Sequence, residues 1–279
     1  MLSVLAHRTY RHLFFAQVIA LVGTGLATVA LGLLAYDIAG ADAGAVLGTA
    51  LAIKMVAYIG IAPVVGAYAD RLPRKTLLVA MDVVRAGVAF MLPFVDAVWQ
   101  VYLLIFLLQS ASAAFTPTFQ ATIPDILPDE DEYTNALSLS RLAYDLESLL
   151  SPMLAAALLT VISFHWLFAG TSIGFVISAL LVVTSALPHR RAAAKLVESV
   201  WRKTTRGTRI YLKTPRLLGL LFVTLAAAAG SAMVIINTVV IVKGMGRSQE
   251  DVALALAAYG GGSMLAALLL PRVLKSASD

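Results

Sequence analysis

Lys54, Asp82, Arg85, Arg141, Asp145 and Glu147 stand inside stretches too apolar to be loops. An ionisable side chain at a bilayer centre costs about 2.5–3.5 kcal/mol on insertion scales, so it needs a partner or a task. Asp82 and Arg85 are three residues apart, and Arg141 and Asp145 four apart, so on a helix each pair shares a face and can neutralise itself. Glu147 has no oppositely charged neighbour at helical spacing. It and Lys54 fall near the middle of their apolar runs. Glu147 is therefore the first candidate for a carboxylate that takes up a proton or binds a cation. The alternative is a Glu that pairs with Lys54 across helices and serves packing alone.

Uncharged polar residues add to this set. Gln109, Ser110, Ser112, Thr116, Thr118 and Gln120 share one apolar run, Gln17 stands in another and Asn237 in a third. They either line a path for a solute or hydrogen-bond helix to helix. No metal site is expected, because His7, His12, His165 and His189 fall at the ends of runs or between them. A nickel path could draw on Asp145 and Glu147, but nothing in the sequence requires it. There is no cysteine, no phosphate-binding loop followed by Lys-Ser/Thr and no nucleophile–base set, so neither a cofactor nor an enzyme is expected.

The elements that must carry these residues are membrane helices. The 279 residues are 60% hydrophobic and only 13% charged, against about 25% charged in soluble domains. A span needs about 20 apolar residues. Eight runs qualify: Leu13–Tyr36, Ala45–Tyr68, Thr76–Val95, Val98–Ala121, Asn135–Ile162, Phe164–Leu187, Leu217–Val242 and Val252–Leu274. Backbone groups in lipid must be paired internally, so each run reads as a helix. The opening MLSVLAHRTYRHLFF is no cleavable signal.

With the N-terminus inside, sixteen of the 21 cations fall on inner segments and only Lys243 and Arg247 on outer ones. That asymmetry sets the orientation and gives the excess of cations a membrane rather than a nucleic-acid partner. The acidic inner stretch Asp125 to Glu132 weighs little in orientation. The segment 188–216 holds nine of the inner cations, with Trp201 and Tyr211 at near-helical spacing. It reads as a basic amphipathic helix on the inner leaflet or as a solvated linker. It divides the chain into a six-helix half (1–187), the linker (188–216) and two further helices (217–279).

Between the second and third runs stands GAYADRLPRK. Gly66, Ala69, Asp70, Arg71, Arg74 and Lys75 match the pattern G-x-L-A-D-R-x-G-R-K, with Tyr68 in place of Leu and Pro73 in place of the second Gly. The chain thereby resembles the major facilitator superfamily. The stretch TFQATIPDILPDEDEYTNALSLSR resembles exporters of its siderophore and macrolide efflux branch, and the opening helix resembles nickel-resistance exporters. The resemblance implies an all-α fold of two six-helix halves, each made of two inverted three-helix repeats, with substrate near the midplane. It implies that the basic loop closes the inner side, with Asp70 at a helix end of the other half and Arg74 paired across the halves. Asp82 and Arg85 then either extend that charge relay or neutralise each other. On the fifth run Glu147, Ser151, Pro152, Ala155 and Ala156 form a degenerate version of the antiporter pattern G-x-x-x-G-P-x-x-G-G, a small-residue face for close helix packing. The mid-helix arginine that many drug–proton antiporters carry on the fourth helix is not found here, which argues against their standard mechanism.

The expectation is a secondary transporter in a bacterial inner membrane that exports a small solute by alternating access, coupled to protons or ions, with a divalent metal such as nickel among the solutes considered. Helices nine to twelve are expected to be missing, through a truncated gene product or an incomplete sequence. A non-transporting membrane fragment is then the alternative. Substrate, coupling ion and oligomeric state stay open.

Overall fold

A computed structural model describes residues 2–68, 73–187 and 209–262. The helices are α1 (Arg8–Ala39), α2 (Ala43–Tyr68), α3 (Arg74–Met91), α4 (Val98–Ile126), α5 (Glu130–Leu159), α6 (Phe164–Thr184), α7 (Pro215–Gly244) and α8 (249–262 as described). Each matches one expected run, usually extended by a turn at one or both ends. Among the described residues six stretches are long and apolar enough to cross a membrane: Arg8–Gly66, which runs over both α1 and α2, and one at each of α3 to α7. The rest of the eighth run, most of the linker, and Asp70 and Arg71 of the basic loop lie outside the described residues.

Local chemistry explains several ends. Gly40 ends α1 with a positive φ of 54°, a conformation glycine adopts without a Cβ penalty. The acidic stretch before the fifth run is the start of α5. Asp129 accepts hydrogen bonds from the backbone N–H groups of Asp131 and Glu132 at 3.1 and 3.0 Å, and Glu130, Asp131 and Glu132 sit in the first turn, where the helix dipole favours anions. At the start of α8, Ser248 and Asp251 cap each other reciprocally, at 3.1 and 3.2 Å.

Short connections make consecutive helices antiparallel. Within the first six, α1 packs on α5 and α6, α3 on α4 and α6, and α2 on α4. Exchanging α1 with α4, α2 with α5 and α3 with α6 leaves this pattern unchanged. Helices three apart in an alternating chain run in opposite directions, so the two three-helix units are inverted repeats. The outer surface is apolar, with Phe90, Phe106, Ile173 and Leu180 exposed to what would be lipid. Trp99 and Trp166, at the starts of α4 and α6, mark one interface level, since both helices enter from the same side.

The α1–α6 contact is close. A Cβ on Gly23 would stand 3.3 Å from the Thr171 backbone, and Thr171 Oγ1 donates to the Gly23 carbonyl at 2.7 Å. α7 lies along α1 and α2, where Val239 faces Gly32 and Ile236 faces Gly48. Thr171→Val, which removes the interhelical hydroxyl at nearly constant volume, is expected to cost about 1 kcal/mol. Thr171→Leu should cost more, because there is no room beside Gly23. Thermal unfolding of the detergent-solubilised protein checks the order, which fails if the two variants melt alike.

Candidate functional site

Asp82 and Arg85 occupy the inner face of α3, where both are almost fully buried. Arg85 donates to Asp82, and Ser178 of α6 donates from Oγ to the other Asp82 oxygen at 2.8 Å. The Arg85 guanidinium also lies over the rings of Phe115 (α4) and Phe175 (α6), 4.2 and 4.5 Å from their centroids. A desolvated contact of this kind is worth about 2 kcal/mol. The pair therefore neutralises itself, as its spacing allows, and it also ties α3, α4 and α6 together.

Beside Arg85 lies a cavity of about 160 Å³. Gln17, Lys54, Tyr58, Gln109, Tyr144 and Glu147 are among its lining residues, with Ser112 and Thr116 of α4. A second cavity, of about 400 Å³, lies between α1, α2 and α5 on one side and α7 and α8 on the other. Ser151, Ser231, Leu256 and Tyr259 line it, and Tyr259 donates its hydroxyl to Ser231 Oγ at 2.9 Å. Thr28, Lys54 and Glu147 line both cavities. They form the wall between them. The sequence placed Lys54 and Glu147 at mid-depth on different helices, and the fold brings them together.

The other residues singled out from sequence fall in distinct places. Arg141 Nε meets Asp145 Oδ1 at 3.2 Å on an exposed side of α5, with side-chain exposures of 79% and 55%. Two residues on, Glu147 turns to the cavities instead. Asn237 is exposed on α7, its amide donating to the Met233 carbonyl at 2.9 Å, and it lines neither cavity. In the basic loop, Arg74 binds the Asp125 carboxylate and the Ala121 carbonyl, both near the end of α4, so this contact lies within the six-helix half. Lys75 Nζ donates to the Ser185 carbonyl at the end of α6, at 2.9 Å. Gly66 faces Pro117 of α4, to which a Cβ would come within 3.8 Å.

Tyr58, Tyr144 and Tyr259 were not singled out in the sequence. Tyr58 stands four residues after Lys54 and Tyr144 three before Glu147, so a helical projection from either charge would have found them. Gly25 was missed as well. It lies directly under Ser151 and Glu147 of α5.

The first six helices form two inverted three-helix repeats, with charged groups buried among them, one cavity inside that half and a second between it and the last two helices. The Major Facilitator Superfamily model matches residues 13–278, and the chain belongs to that family. It is 26% identical over 152 residues to macrolide efflux protein A of Streptococcus pyogenes, covering 50% of this chain and 37% of that one. The Enterococcus faecalis protein of the same name gives 26% over 152 residues, covering 51% and 47%. An MFS-type transporter of Bacillus subtilis, YkuC, is 25% identical over 209 residues, covering 73% and 47%. The chain thus spans less than half the length of these relatives. Among solved structures, the nucleoside transporter NupG superposes with a TM-score of 0.72 at 16% identity, covering 96% of this chain and 68% of that one. A bacterial homologue of the lysosomal transporter Spinster, inward-facing, gives 0.68 at 16%, covering 95% and 64%. At these identities the two structures speak for the fold alone.

Removing one partner of a buried ion pair strands the other, at a cost of about 3–5 kcal/mol. Arg85→Met should therefore destabilise far more than Asp82→Asn combined with Arg85→Met. A double-mutant cycle on thermal unfolding measures the coupling, and strictly additive losses would show that the pair does not act as a unit.

Proposed function

We propose that this protein exports a small organic solute across a bacterial inner membrane by alternating access, with Glu147 as the carboxylate that couples export to proton entry. The N-terminus is placed inside. The first six helices act as one half, the segment 188–216 as the linker and the last two helices as the start of the other half. The observation that carries this reading is the Lys54–Glu147 wall between two cavities, one inside the six-helix half and one against α7 and α8. A carboxylate in that position can hold a proton or answer Lys54, and solute in either cavity meets it. Gly66, Asp70, Arg71, Arg74 and Lys75 are assigned to closing the inner side, and Asp82 with Arg85 to holding α3 in that half.

The export direction rests on the macrolide efflux relatives. An organic solute is preferred to nickel because Asp145, the second carboxylate a metal path would use, is paired with Arg141 on an exposed side of α5. Among the described residues, no three His, Asp or Glu side chains are grouped to hold a metal ion.

Inverted membrane vesicles with the full-length protein and a radiolabelled macrolide test this. Acidifying the lumen should drive uptake by the wild type, since protons leaving the lumen exchange for solute. Glu147→Gln should keep binding and lose that response. Proton-driven uptake that survives in Glu147→Gln would remove the coupling role. Proton-driven uptake of nickel in place of macrolide would return the metal reading.

A further inference from the structure

α5 crosses α1 more closely than any side chain at the crossing would permit. A Cβ on Gly25 would stand 2.1 Å from Ser151 Oγ, 2.2 Å from Ser151 Cβ and 2.7 Å from Glu147 Oε1. Cβ atoms in proteins essentially never approach within 3.0 Å. The comparison with Gly32 is informative. There the near atom is a single Val239 methyl at 2.8 Å, which a rotamer change can withdraw. At Gly25 the obstacle includes Ser151 Cβ, which is fixed to the α5 backbone and cannot rotate away. Any side chain at position 25 must therefore move α5, and Glu147 sits one turn from Ser151. Ser151 itself is buried, and among the described residues its hydroxyl has no hydrogen-bond partner. What that position supplies is size, not a hydrogen bond.

We propose that Gly25 is a positioning residue for Glu147: its bare backbone lets α5 seat the carboxylate on the wall shared by the two cavities. The proposal rests on the reading of Glu147 as the coupling group. The titratable and charged groups lining the cavities around that carboxylate are Lys54 and Tyr58 on α2, Arg85 on α3, Tyr144 on α5 and Tyr259 on α8. α1 and α4 present Gln17, Thr24, Thr28, Gln109, Ser112 and Thr116, which do not titrate. A shift of α5 changes the distance from Glu147 to every one of the charged groups, so the pH at which it takes up its proton must move.

The full-length protein in lipid nanodiscs, treated with a hydrophobic carbodiimide that modifies protonated buried carboxyls, gives a readout that needs no substrate. Mass spectrometry follows modification of Glu147 against pH. Gly25→Ala should move the midpoint by about one unit or more. Gly25→Ala with Ser151→Gly should restore it, because both clashing Ser151 atoms are gone and the one remaining atom within 3.0 Å, Glu147 Oε1, ends a flexible side chain that can give without moving α5. Gly25→Ala with Ser151→Ala should not, because the Cβ remains. A wild-type midpoint in Gly25→Ala, or equal rescue by the two second-site changes, overturns the proposal. If Gly25→Ala alone fails to accumulate, the two double variants still decide: a wild-type midpoint with Ser151→Gly only supports it, and any other result overturns it. The coupling role fails separately. Proton-driven macrolide uptake persisting in Glu147→Gln would remove that role and leave Gly25 as a residue that seats a carboxylate without a transport function.

Discussion

A charge drawn out of water into a membrane must be met by protein, and that requirement organises this fold. Arg85 is met by Asp82 and two aromatic rings, Arg74 by Asp125 and a carbonyl, and Arg141 by Asp145, while Lys54 and Glu147 line the same two cavities. Apolar side chains cannot decide which face of a helix turns inward, since lipid is as apolar as the interior. Phe90, Phe106, Ile173 and Leu180 accordingly face outward, while Gln17, Asp82, Arg85, Thr118, Thr171 and Ser178 are buried inside. The inverted repeat is the arrangement that lets three helices at a time share such contacts.

The charges differ in how tightly they are enclosed. Arg85 and Asp82 are held by three helices of one half, with Ser178 completing the carboxylate. Such a set rigidifies the half. Lys54 and Glu147 have cavity on both sides, and α7 and α8 close one of those cavities. A pair in that setting can exchange its partner for a proton, water or solute without dismantling the half around it. One cluster is thus held rigidly within the half, and the other has room around it.

Much of this was legible because it depends on one helix at a time. Eight apolar runs of spanning length gave the eight helices, and pairs at three or four residues gave Asp82–Arg85 and Arg141–Asp145. The Asp129–Glu132 stretch read as an acidic loop, where the structure shows an N-cap and first turn, because capping and looping use the same residues. Asn237 was assigned to a solute path or a contact between helices, but its amide bonds back within its own helix, and only the rotation of α7 decides that. Phe115 and Phe175 are ordinary apolar residues until three helices bring them over a guanidinium. Gly25 was invisible for the same reason, since its importance lies in the register of α1 against α5.

That register gives α1 a particular place. Residues two apart on a helix are about 200° apart, and residues seven apart nearly coincide. Gly23, against Thr171 of α6, therefore lies opposite Gly25, against Ser151 of α5, while Gly32, against Val239 of α7, returns to the Gly25 side. α1 is pressed against α6 on one face and, on the other, against α5 and the first helix beyond the linker. The two contacts on that second face are unequal. Ser151 is locked to Gly25 by atoms next to the backbone, whereas Val239 reaches Gly32 with one methyl group. Relative motion should therefore occur at the α7 contact, leaving α1 and α5 together. The cavity lined by Glu147, Ser231 and Tyr259 spans that looser contact, so sliding α7 would change the surroundings of the carboxylate while its seat stayed fixed.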